Sequence, residues 1–570
     1  MAHIPRDDLY SSVTVDSTVR RPNPAVAAAY RLIAPALGCF TFALYWRTAA
    51  RSLVLGDGPI LAAAGSELGV PPATGYPLYT LLAHLFVRLI PAGEPVFRTA
   101  ILSSVLSAIT VVCVYLLGQR LFRNRWLAMS VAVLLAVSDT FWSQAVVTGV
   151  FPLHHLLLTA TLLCLFVWDR TGVRRYALGA ALLAGLAIAH HVFAILWLPG
   201  LLLLAWTSRQ RAGLPRARWL IILLLSPLAL YSITLLTARR DPAINWGDAR
   251  NLSNLAAHAG DITLGDRMGF GSGAVFRARL VNYAATPEEH GPDGLLRLQY
   301  PMPALWLAIP GLIALLRLDR RTLGVTALLY GCSLLGALAY YGPDYAHAYL
   351  GSHLIVLLWI GFGLRVIHGW LQRLNRRLPM RRHEHREVRV LIQLGLVAMP
   401  MALLPVNYRL NDLHGVDRDG GMVRAMIERI EPRGVVIVDA EPIGFGLQYA
   451  SVVEKLRPDV RIVSLRYFQP RSYRLILRER GSDLAVAGPG SEQHADTIYP
   501  QTAARRRFVR FILDNYQRRP VYLAGALAGK LERSRTTRSL LPAHEHVVEH
   551  VPLIRFLQGS APGSHSEGHP

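Results

Sequence analysis

Eleven apolar stretches, each near the roughly 20 residues that cross a bilayer as a helix, recur along this chain and set its class before any motif is read. They cover about residues 26–47, 98–118, 126–142, 151–168, 175–190, 192–207, 218–237, 301–316, 322–341, 348–366 and 389–405. Arginines crowd into every second connection: Arg120, Arg123 and Arg125; Arg170, Arg174 and Arg175; Arg209, Arg211, Arg216 and Arg218; Arg317, Arg320 and Arg321; and the run Arg373 to Arg389. Cytoplasmic loops of membrane proteins carry this excess. With 52% hydrophobic and 17% charged residues and a mean hydropathy of +0.32, the chain reads as a polytopic α-helical membrane protein. The net charge of +23 therefore marks topology, and no nucleic-acid partner is expected.

The run from Tyr76 to Ile90 is the one that decides orientation. It is apolar but short, and it places His84 and Arg88 four apart on one helical face. Read as an amphipathic helix in the interface, it leaves eleven spans with every basic connection on the side of the polar tail, residues 1–25. The N-terminus is then cytoplasmic and the C-terminus extracytoplasmic. No signal-peptide pattern precedes the first span, which is expected to stay as an anchor. Cys39, Cys113, Cys164 and Cys332 all lie in apolar segments, so neither a disulfide framework nor a zinc spacing is expected.

The predicted outer face gathers the polar residues that the spans do not need. The loop 48–97 carries Asp57 between Gly56 and Gly58-Pro59, at a chain reversal. A carboxylate there can be a general base, a metal ligand or a helix N-cap. On the same face fall the turn Trp142 to Thr148, the pair His190-His191, the loop Thr237 to Gln299 and the turn Gly342-Pro343-Asp344. Beyond residue 405 the pattern changes. GVVIVD (434–439), RPDVRIVSL and VYLAGAL read as strands around the helix phrase LQYASVVEKL, which predicts an α/β domain over 406–558. The last residues, 559–570, read as disordered.

Several phrases, in order, resemble one branch of the GT-C membrane glycosyltransferases, the transmembrane-protein-260-type protein O-mannosyltransferases. They are Asp57, Leu68-Gly69-Val70, Gly75-Tyr76-Pro77-Leu78-Tyr79, Phe141-Trp142-Ser143-Gln144-Ala145, Gly185-Leu186 with His190-His191, and Asn245-Trp246-Gly247-Asp248. In the last region Asp439, Leu447, Tyr449 and Arg457-Pro458-Asp459-Val460 match as well. The resemblance implies the GT-C fold over 26–405, with the large first loop 48–97 extracytoplasmic, in a bacterial inner membrane. It implies an inverting transfer of sugar from a polyprenyl-phosphate donor to a protein or glycan acceptor, without a cofactor and with no metal assigned.

In that reading Asp57 is the base. The donor phosphate is met by His84, Arg88, Arg98, His190 or His191. Tyr76, Trp142, Trp246, Asp248 and Asp344 shape the substrate pocket. The bland readings stand beside these: His84 and Arg88 snorkel to headgroups, one of the two histidines packs in the core, Asp139 ends a helix, Trp246 and Asp248 anchor a loop, and Arg457-Pro458-Asp459 is a pinned turn. The Arg317–Arg321 cluster is read as topogenic. The chain departs from the branch at Ile60, Pro72 and Gly149, where the branch carries Glu, His and Glu. The alternative is therefore a degenerate relative that binds lipid-linked sugar or scaffolds a glycan machine. A transporter is disfavoured, because no paired charges lie mid-span and no internal repeat is seen.

Overall fold

The computed structural model describes residues 24–260, 268–269, 271–284, 295–340, 345–438, 441–464, 484, 511–525, 544–546 and 553–558. Asp344, Asp439 and both terminal tails lie outside the described residues. A helix stands at each of the eleven places the sequence marks. Among the described residues seven helices are long and apolar enough to cross a membrane, or eight if one bent pair is counted as a span.

The chain opens with α1 (Pro24–Thr48), then two short helices, α2 (Gly58–Glu67) and α3 (Pro77–Leu89). At 13 residues α3 is about 20 Å long, against a hydrocarbon core of roughly 30 Å. Next come α4 (Pro95–Phe122), α5 (Arg125–Ala136), α6 (Asp139–Ala145), α7 (Phe151–Thr171) and α8 (Arg174–His190). The apolar windows of α4 and α7 are 72% buried and that of Leu350–Arg377 is 78% buried, so these form the centre. Those of Ala217–Arg239 and Arg382–Asn411 are only 17% buried, which leaves their apolar side chains to lipid. Where Met302–Leu318 crosses Leu350–Arg377, a Cβ on Gly363 would fall 1.8 Å from the Leu307 carbonyl, and one on Gly311 2.1 Å from that of Trp359. Only glycine allows these backbones to approach so closely.

Two expectations need correction. The stretch 126–142 is not one straight span: α5 and α6 meet at 66°. The break is held from far along the chain. Asn407 Nδ2 donates to the Val137 carbonyl at 2.6 Å, Gln299 Nε2 to Ser138 Oγ at 2.7 Å, and the Phe141 amide to Gln299 Oε1 at 3.2 Å. Backbone groups freed at a bend inside a membrane protein need such partners. Arg321 is also more than a topogenic charge. Its guanidinium donates to Asp169 at 3.0 Å, Ser208 Oγ at 2.6 Å and Thr207 Oγ1 at 2.8 Å, tying three helices together at their basic ends.

The C-terminal part is a sheet with helices. β1 (Val435–Val438), β2 (Arg461–Ser464) and β3 (Val521–Ala524) pair in parallel; β5 (Leu553–Phe556) runs antiparallel to β3, and β4 (His544–His546) antiparallel to β5. The order is β2-β1-β3-β5-β4. β1 and β3 are buried on both faces, which suits their unbroken apolar runs. The helices Arg418–Glu428 and Glu441–Val452 pack this sheet onto the first loop. Val423, Met426, Phe445 and Tyr449 share one apolar cluster with Ile60, Ala63, Val96 and Trp246.

Candidate active site

Between the first loop, α6 and the C-terminal connection lies a cavity of about 370 Å³. The backbone around Asp57 sets one wall. Asp57 occupies the N-cap position of α2 but its side chain makes no cap hydrogen bond, and the residue is exposed. The N-cap reading thus has no side-chain bond behind it. Opposite, the bend before α6 carries Ser143 and Gln144 into the lining, with Thr148 and Gly149 following. Asn411 and Leu413 close the side towards the C-terminal domain.

Among the described residues the basic side chain in this lining is His347, and no lysine or arginine borders the cavity. His347 Nε2 lies 2.7 Å from Gln144 Nε2, so the amide fixes the ring. Its ring also sits 5.6 Å from that of Phe151. Behind Phe151 and His347 is a chamber of about 10 Å³, the room of a single water, bordered by His154, His155 and Ser333. Among the described residues no group of three His, Cys, Asp or Glu is placed to hold a metal.

The other sequence candidates stand elsewhere. His84 Nδ1 donates to the Gly65 carbonyl at 2.7 Å, which joins α3 to α2. Arg98 donates from Nη1 to Val87 O at 2.7 Å and from Nε to Gly93 O at 2.9 Å, closing the turn between α3 and α4. Arg88 is exposed on α3. His190 Nε2 donates to Val150 O at 2.9 Å, and His191 Nδ1 accepts from the Phe193 amide at 3.2 Å. Tyr76 lies against both histidines, with ring centroids at 5.8 and 6.1 Å.

Trp142 is fully buried and donates to Thr48 Oγ1 at 3.0 Å. Trp246 packs edge-on to Phe445 at 5.7 Å, inside the cluster shared with the sheet domain. Asp248 pairs with Arg250 at 2.9 Å. None of these side chains borders the 370 Å³ cavity. Asp139 accepts from Asn411 Nδ2 at 2.8 Å, a helix-end contact. Sequence reasoning missed Gln144 and His347 as partners. Gln144 lies inside the phrase Phe141–Ala145, and His347 three residues after Asp344, so both were in view without a signal of their pairing.

With this geometry in hand, comparison with solved structures defines the class. ArnT from Cupriavidus metallidurans, bound to undecaprenyl phosphate, matches with a TM-score of 0.54 at 11% identity, over 94% of this chain and all of that one. Its apo state matches at 0.52, also at 11% identity, over 93% and 98%. The likeness shows the fold: this is a polytopic integral membrane protein of GT-C architecture. Sequence comparison then narrows the resemblance. The Protein O-mannosyl-transferase TMEM260 N-terminal domain model matches residues 57–213, opening on Asp57. The mouse protein O-mannosyl-transferase TMEM260 is 24% identical over 452 residues, 74% of this chain. The Dictyostelium discoideum protein of the same name is 27% identical over 127 residues, 22% of this chain. The matches span 61% and 15% of those relatives' lengths. The chain is thus GT-C and O-mannosyltransferase-like, as its ordered phrases led us to expect.

Proposed function

We propose that the chain transfers a sugar from a polyprenyl-phosphate donor to a hydroxyl of an extracytoplasmic protein or glycan acceptor. The observation that carries this is the placement of Asp57. Among the described residues it is the carboxylate bordering a 370 Å³ cavity whose far wall holds the Gln144–His347 pair. In the reaction the acceptor hydroxyl attacks the anomeric carbon and gives its proton to the Asp57 carboxylate. The bond from that carbon to the phosphate oxygen breaks, and its electron pair leaves with the lipid phosphate. Such a leaving group needs donors or cations rather than an acid. Among the described residues His347 is the basic side chain in the lining and takes that role here, in preference to His84 and Arg98, which do not border the cavity. The fold shared with a protein bound to undecaprenyl phosphate supports the donor class. The arginine distribution supports a cytoplasmic N-terminus, with loop 48–97 and residues 406–558 outside a bacterial inner membrane.

A second reading, binding of lipid-linked sugar without transfer, is favoured by Ile60 and Gly149. Ile60 is fully buried against the sheet domain, and Gly149 borders the cavity without a side chain, where the branch carries acids. One experiment separates the two. Membranes holding the wild-type chain are given radiolabelled polyprenyl-phosphate sugar, and label reaching protein or glycan is counted. Transfer is expected, falling at least about 100-fold in Asp57→Asn, as removal of a general base does. Undiminished transfer in that variant would sink the base assignment. Donor binding without transfer by the wild type would select the second reading.

A further inference from the structure

The sequence predicts an α/β domain over 406–558 and assigns it no part in placing Asp57. The contacts around the Asp57 loop lead elsewhere: we propose that the C-terminal domain positions this loop, with Asp419 and Arg424 as positioning residues. The inference rests on the Asp57 reading above and adds what holds that residue in place.

Asp57 lies between two glycines, and Gly56 has φ +142°, so the loop has little stiffness of its own. Beside the Ala50 amide bond to Val146 O, anchors reach it from more than 360 residues away. The Leu55 amide donates to Asp419 Oδ2 at 2.9 Å, two residues before Asp57. Ser52 Oγ donates to the Asp417 carboxylate. Just upstream, the Leu413 amide donates to Thr48 O at 3.0 Å. Arg424 ties these elements together. Its Nη2 reaches Glu94 at 3.0 Å and Glu454 at 2.9 Å, and its Nη1 reaches Asp417 at 3.4 Å. One guanidinium therefore joins the Arg418–Glu428 helix and the turn after Glu441–Val452 to Glu94, just before α4.

The steric fit is equally specific. A Cβ on Gly420 would fall 2.7 Å from Ser52 Oγ, so the first turn of the Arg418–Glu428 helix meets the loop at contact distance. The body of α2 from Pro59 to Gly65 is buried, and Ile60, Ala62, Ala63 and Ala64 lie in the cluster shared with Val423, Met426 and Leu447. The loop and the start of α2 are thus held by the sheet domain, and the connection to that domain, through Asn411 and Leu413, is itself cavity wall.

The test reads the loop directly. In the full chain, with Cys39, Cys113, Cys164 and Cys332 replaced by alanine, a nitroxide is attached at Asp57→Cys and its electron paramagnetic resonance line shape recorded. A second set carries the label at Ser143→Cys, on the opposite wall. Asp419→Ala and Arg424→Ala are each expected to raise the mobile fraction at position 57 by about tenfold, since each removes a hydrogen bond to a charged group. The label at position 143 stays unchanged. Asp419→Asn, which keeps an acceptor, and Arg424→Lys, which keeps the charge, are expected to restore most of the order.

Arg457→Ala, which breaks a turn inside the same domain, leaves position 57 unaffected. An unchanged line shape at 57 in both alanine variants, with melting transitions intact, overturns the proposal. So does equal loosening at 143, which means the whole fold has slackened. Where an alanine variant does not fold, Asp419→Ser and Arg424→Gln, which shorten or neutralise the contact, carry the test: raised mobility at 57 supports the proposal and wild-type order overturns it. A wild-type chain that transfers no sugar, yet shows the mobilisation, counts against the transfer reading alone.

Discussion

In the arm of the first loop from Ser52 to Glu67 the carboxylate of Asp57 borders an open cavity; in the arm from Pro77 to Arg98 His84 and Arg98 are turned on the chain itself and Arg88 is exposed. Both arms carry residues that the sequence marks for the chemistry: Asp57 as base in the first, and His84, Arg88 and Arg98 for the phosphate in the second. In the second, His84 and Arg98 hold the carbonyls of Gly65, Val87 and Gly93. The difference teaches that residue type and face select candidates, while the fold decides which of them border the cavity. The cavity's own basic group, His347, is instead fixed by a side chain, Gln144, that borders the same space.

The largest effect expected beyond that of Asp57 is at His347. His347→Ala should lower transfer on the order of 100-fold, the cost of losing a donor to a developing charge. Gln144→Leu, which removes the amide's hold on the ring but keeps the ring, should cost about tenfold. Equilibrium binding of undecaprenyl phosphate should weaken in the first of these more than in the second. A His347→Ala chain with normal transfer would break the comparison between the arms.

Arg98→Ala sharpens it from the other side. We expect a loss of about 1.5–3 kcal/mol in stability, read by denaturant or thermal melting, because two carbonyls lose a charged donor. Transfer per folded molecule should hold within about threefold, given that Arg98 does not border the cavity. Arg88→Ala, exposed on α3, should change stability by no more than about 0.5 kcal/mol. A fall in transfer for Arg98→Ala as large as for His347→Ala, with melting unchanged, would return the phosphate role to the second arm.

The smallest effect lies in the sheet domain and carries a pH signature. Arg457 reaches Asp459 through Nη2 at 2.8 Å and Nε at 2.9 Å, and the Arg433 amide adds a bond at 2.8 Å. The guanidinium, then the amide, hold the Asp459 carboxyl well below its ordinary range. Because the folded pKa is depressed, the pair's contribution is complete above that ordinary range and is lost as pH falls through the lowered value. Asp459→Asn should therefore lower the melting temperature slightly at neutral pH, with the gap to wild type closing in strong acid. A gap that widened as pH fell would reverse the sign and dismiss the pair.

Much of this was legible in the chain. Apolar length gave the places of the helices, and Asp57 stood out because glycines bracket it at a reversal and the surrounding phrases keep their order. β1, β2 and β3 were readable as short apolar runs. β4 was not: His544-Glu545-His546 is polar and gains its strand conformation from pairing with β5. The short run Leu553–Phe556 was equally silent and is placed by β3.

What the sequence by itself determined is thus the set of apolar lengths and the sign of the loops, since these depend on local transfer energies that each segment carries alone. The tertiary structure decided the rest. No proline or glycine marks the break between Ala136 and Asp139; it persists because Gln299 and Asn407, distant in sequence, satisfy the groups it frees. That break brings Gln144 to His347, and Asp419 and Arg424 bring the C-terminal domain to the Asp57 loop. Hydrogen bonds and ion pairs between residues hundreds of positions apart leave no periodicity in either partner, so only the folded chain shows which polar side chains meet and which are already engaged.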